Sequence, residues 1–157
     1  MDDPLATYLH DHLAGAAAAI DLLEALRDEY QGEPLGSFAA GLLADIVEDE
    51  AVLRRRVTES TGASRGALKQ AAAWLGEKAS RAKFQRQTAG EFGTFQALEV
   101  LALGILGKLA LWQALAAIAP ADPRLAGLDL DALADRARDQ HARAERERLI
   151  LAVRALN

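Results

Sequence analysis

The spacing of apolar residues limits this chain more than any other feature. Leu9, His12, Ala16, Ala19, Leu23, Leu26 and Tyr30 follow one another at steps of three and four. That rhythm puts them on one face of an α-helix. Asp3 suits an N-cap, Pro4 suits the first helical position, and Gly32 and Pro34 punctuate the far end, so a helix is predicted over 4–30. Phe38, Leu42, Ile46, then Asp49 or Glu50, then Leu53 and Val57 repeat the pattern and predict a second helix over 35–60, with Gly62 just past its end. A third over 65–87 has a thinner apolar face of Leu68, Ala71, Ala72, Leu75, Ala79 and Ala82. Its other side is basic, with Arg65, Lys69, Lys78, Arg81, Lys83 and Arg86 against Glu77.

A fourth helix is predicted over 93–119, apolar on nearly all sides except at Glu99 and Lys108, and stopped by Pro120 and Pro123. A helix of that kind is expected to be enclosed by other helices. The fifth, over 129–156, starts at the N-cap Asp129. Its face is Leu130, Leu133, Ala137, Gln140 or His141, Ala144, Leu151 and Ala155. Runs rich in Val, Ile, Thr and aromatics, the mark of strands, are missing. The class expected is all-α, in a single domain over 1–157.

Composition narrows the function classes. A net charge of −5 argues against broad nucleic-acid or anionic-membrane binding. The chain has no cysteine, which removes disulfides and thiolate metal sites. The opening "MDDPLATYLHDH" lacks the basic and apolar regions of a signal peptide, and a cytoplasmic location is expected. Around Lys108 the charge-free runs are 100–107 and 109–121. Both fall short of the ~18 residues of a spanning helix, so no membrane span is expected.

Short loops after the first and fourth helices imply two antiparallel pairs. The segment 65–87, about 30 Å long as a helix, would cross between them. Reflecting each pair about its turn brings His12, Asp49 or Glu50, Lys108, and Gln140 or His141 to one level. Such a polar layer explains a lysine in the most apolar part of the chain: a buried ammonium needs a carboxylate and hydrogen-bond acceptors. Glu99 lies on the order of 13 Å from Lys108 along the same helix and cannot supply them.

Two hairpins and a crossover resemble the ferritin-like superfamily. The stretches "YLHDHLAGA", "AAAWLGEKASRAKF", "LEVLALGILGKLALW" and "DPRLAGLDLDAL" resemble a group of small bacterial proteins of unassigned role. The resemblance implies a ferritin-like antiparallel four-helix bundle with a helical crossover, and no activity. Ferritin-like di-iron sites use two Glu-x-x-His pairs with further Glu ligands, and the chain has no Glu-x-x-His. Its histidines are His10, His12 and His141, with Arg138 three residues before the last. His10 and His12 point about 200° apart on a helix and cannot share a metal. No di-iron ligand carries over, and an inward Lys108 would repel a dication.

No nucleophile–base pair, phosphate-binding glycine loop or paired-carboxylate motif is present to suggest an enzyme. Gly104 and Gly107, three apart on the fourth helix, are expected to let helices approach closely. The expected role is a structural or protein-interaction bundle acting as a homodimer, with the basic face of 65–87 available to an acidic partner. The alternative is a degenerate metal- or small-ligand-binding protein, with a single iron or zinc ion held by His12, Glu50 and His141.

Overall fold

A computed structural model of the chain describes residues 3–61 and 90–157. These residues form α1 (Pro4–Glu29), α2 (Pro34–Thr61), α3 (Gly90–Ile118) and α4 (Leu130–Ala155), with a single 3₁₀ turn at Pro123–Leu125 before α4. The described part is all-helical, as the apolar spacing requires. The helix expected over 65–87, its basic face and Gly62 lie outside the described residues.

The ends of the helices follow from local chemistry. The Asp3 carboxylate accepts the Leu5 N–H at 3.0 Å, with Pro4 at the first helical position. α1 closes where Gly32 takes a φ of +84°, a left-handed conformation that costs glycine little. Asp129 caps α4 by accepting the Ala132 N–H at 3.0 Å. α3 starts at Gly90, three residues ahead of the expectation, with Glu91 in the first turn, where the helix dipole favours an anion.

α1 packs mainly on α2, and α3 mainly on α4. Two apolar clusters hold these pairs together. One gathers Leu23 and Leu26 of α1, Leu42 and Ile46 of α2, Leu98 and Ile105 of α3, and Ala144 and Leu151 of α4. The other gathers Leu9 and Leu13, Leu53 and Val57, Leu111, Trp112 and Leu115, and Ala134 and Ala137. Between the buried members of the two clusters lies a gap on each helix: 14–22 on α1, 47–52 on α2, 106–110 on α3 and 138–143 on α4. Asp49, Lys108 and Gln140 sit in that gap. α1 contributes "GAAAA" at 15–19, a stretch with no large side chain.

Two expectations about α3 are corrected. It is not enclosed by the described residues: Val100 and Leu103 are 64% and 63% exposed, and Leu106 and Ile118 are also exposed. By length and composition Gly90–Ile118 could cross a membrane, with 33% of its most apolar window buried. Nor do Gly104 and Gly107 hold a close contact with any described helix, since no described atom lies within 4 Å of where a Cβ would stand on either. The close approach is at Gly36, where a Cβ would lie 2.1 Å from the Tyr30 carbonyl oxygen.

Candidate functional site

Three helices converge on the Lys108 ammonium. Its Nζ lies 2.5 Å from Asp49 Oδ2 and also donates to Gln140 Oε1. The Gln140 amide then donates through Nε2 to the same Asp49 oxygen at 2.9 Å. The triad closes on itself, and its partners fix which way the amide faces. Asp49 is 4% exposed and Gln140 is fully buried. The Lys108 side chain keeps 14% of its surface, so it does not reach out to solvent as a long amphipathic side chain can. Burial pushes the Lys108 pKa down, and the Asp49 charge acts in the opposite direction.

Asp49 has a second cation. Arg136, one turn before Gln140 on α4, places Nε 3.4 Å from Asp49 Oδ1. The same guanidinium donates to the Asp45 carbonyl at 3.0 Å and to Glu48 at 2.7 Å. Arg143, two turns beyond Arg136 on α4, bonds the Asp45 carboxylate. α2 and α4 are thus joined by a ladder of charges whose innermost rung is Asp49.

Next to the triad is a cavity of about 80 Å³ between α1, α2 and α3. Its walls are mostly apolar, with Ala16, Ala19, Ile46, Leu53 and Ile105 among them. Gly15 and Gly104, both exposed, stand on its border. The polar residues on its walls are His12, Asp49, Glu50, Lys108 and Trp112. His12 is half-buried, edge-on to Tyr8 with ring centres 4.7 Å apart. Burial lowers its pKa from the ordinary 6.5, against a smaller opposing effect of Asp11, so the imidazole is neutral at pH 7. Glu50 turns towards its own helix and accepts from Arg54 Nε at 3.0 Å, one turn on. Trp112 is 1% exposed, and its indole N–H is buried with no hydrogen-bond partner among the described residues.

The structure therefore brings His12, Asp49, Glu50 and Lys108 to one cavity and ties Gln140 to two of them. His141 stands apart. With Gln140 turned inward, its neighbour is rotated ~100° around α4, beside Glu145, whose pKa it helps to lower after the larger effect of Arg148. Among the described residues no group of three or more histidines and carboxylates is placed to hold a metal ion. His12, Glu50 and His141 accordingly do not converge as the expected metal set. Sequence reasoning missed Arg136 and Trp112. For Trp112 a signal existed: it is four residues after Lys108, hence on the same helix face. For Arg136 there was none, because α4 alternates arginine with acid along its outer side.

Compared with family models, curated proteins and solved structures, the chain matches none.

Proposed function

We propose that the chain is a non-enzymatic protein-interaction bundle of ferritin-like, antiparallel arrangement, in which the charge of Lys108 stands where a metal cation would otherwise sit. The observation that carries this reading is the closed Lys108–Asp49–Gln140 triad between the two apolar clusters. A lysine ammonium at that level fills the coordination space and occupies the Asp49 carboxylate that a dication would need. The antiparallel arrangement is supported by the clusters, which unite the C-terminal half of α1 with the N-terminal half of α2, and the N-terminal half of α3 with the C-terminal half of α4. Reading α3 as a bundle helix rather than a membrane span is supported by its ion pair to α2 and its charged link to α4 through Glu99 and Arg148, 3.2 Å apart.

Metal analysis of protein purified without a polyhistidine tag tests the reading. The expected result is no stoichiometric metal, and none gained after incubation with iron or zinc. Stoichiometric metal that disappears in both His12→Ala and His141→Ala would overturn it.

A second reading, small-molecule binding beside the triad, is favoured by the cavity itself, which is lined by His12 and Glu50. It needs no metal.

A further inference from the structure

The cavity has a chemistry that selects among ligands. An ammonium carries three N–H donors. Among the described residues, Asp49 and Gln140 take two of those on Lys108. One turn along the same face of α3, Trp112 holds a buried indole N–H with no partner among the described residues. Leaving such a donor unsatisfied is costly, and an acceptor that reaches it is rewarded. The cavity thus has two donor-bearing residues, Lys108 and Trp112, on its α3 wall. Its two carboxylates are already engaged, Asp49 by Lys108 and Gln140 and Glu50 by Arg54.

Charge decides the next step. Lys108 is already paired with Asp49, and Arg54 with Glu50, so a further anion would find no unpaired cation among the described residues of the wall. An ammonium-type cation would face Lys108 and gain no carboxylate that is not already paired. A neutral acceptor meets neither objection. Size sets the rest: at protein packing density, about 80 Å³ holds roughly four non-hydrogen atoms. The other walls are aliphatic, and they suit an alkyl body better than a water cluster.

We infer that this cavity is a binding site for a small neutral carbonyl compound or alcohol of about four non-hydrogen atoms, its oxygen accepting from the Trp112 indole N–H and the third N–H of Lys108. The inference rests on the small-molecule reading above and adds the ligand class. The acceptor oxygen lies against α3, and the alkyl groups lie towards Ala16 and Ala19 of α1. His12 closes the end of the cavity next to Tyr8 as a neutral ring.

The test uses the full chain labelled with ¹⁵N, carrying Trp74→Phe so that the indole region holds the Trp112 signal alone. Acetone is titrated in, and xenon serves as a probe of the cavity that accepts no hydrogen bond. Acetone should move the Trp112 indole proton downfield along a saturating curve in the millimolar range. Ala16→Leu, which fills the cavity, should abolish the saturation while the far-ultraviolet helix signal stays. Lys108→Met should weaken acetone binding several-fold and leave the xenon response intact. A saturable xenon response with an indole signal indifferent to acetone overturns the ligand class and leaves small-molecule binding standing. No saturable response to either probe overturns both. An acetone response unchanged in Ala16→Leu places the binding elsewhere and overturns the site.

Discussion

At the scale of single residues, Asp49 matters more than Lys108. Removing Asp49 leaves the buried Lys108 ammonium without its carboxylate, while Arg136 keeps Glu48. Removing Lys108 leaves Asp49 still held by Gln140 and Arg136. Asp49→Ala should therefore cost about 3–5 kcal/mol of unfolding free energy, the usual penalty for breaking a buried pair. Lys108→Met should cost clearly less, and the double variant less than the sum of the two. Urea denaturation of the three variants in a double-mutant cycle checks this, and additive costs would contradict the pairing. His12 gives a prediction with a definite sign. Its folded pKa is lowered by burial, so below about 6.5 the unfolded chain binds the proton more readily than the folded one. The contribution of His12 is complete above that pH and is lost as the pH falls through it. In His12→Gln, the fall in stability from pH 7 to pH 5 should be shallower than in the parent chain, as read by thermal melts at each pH.

At the scale of elements, the helices owe their existence to the sequence, and the tight turn between α1 and α2 depends on one position without a side chain. Gly36, near the start of α2, lies against the carbonyl of Tyr30, and a methyl group there would stand 2.1 Å from that oxygen. Gly36→Ala should destabilise by about 1–3 kcal/mol, since backbone has to move. Gly104, in the middle of α3, has no described atom within 4 Å of its Cβ position. Gly104→Ala should stabilise by up to about 1 kcal/mol through helix propensity alone. Opposite signs in chemical denaturation are expected, and equal signs would contradict the contrast. The extent of the four described helices was legible in the sequence to within about three residues. Caps at Asp3 and Asp129 and stops at Gly32 and Pro120 act over one turn of chain. What α3 touches was less legible. An apolar helix is consistent with enclosure on all sides, but which of its faces meets a neighbour depends on helices far away in the chain.

At the scale of the whole molecule, the exposed strip on α3 raises the question of association. Val100, Leu103 and Leu106 lie on that helix with no charged residue between them, and apolar strips of this kind favour burial against a partner. On the proposed homodimer reading, sedimentation velocity should give a dimer for the parent chain and a monomer for Leu103→Glu, with helix content equal in the two. A monomeric parent chain would remove that reading.

Sequence alone determined the all-helical class, the places where the described helices start and stop, and the need of Lys108 for a carboxylate. These follow from short-range geometry and from the cost of a bare buried charge. Only the tertiary structure decided that the carboxylate is Asp49 and not Glu50, and that Gln140 rather than His141 faces inward. Neighbouring residues on a helix differ by ~100° in direction, and a shift that small is set by how the helices rotate when they pack. The cavity belongs to the same level of decision: "GAAAA" on α1 is ordinary helix-forming sequence until it lies opposite a layer where the other helices carry polar groups.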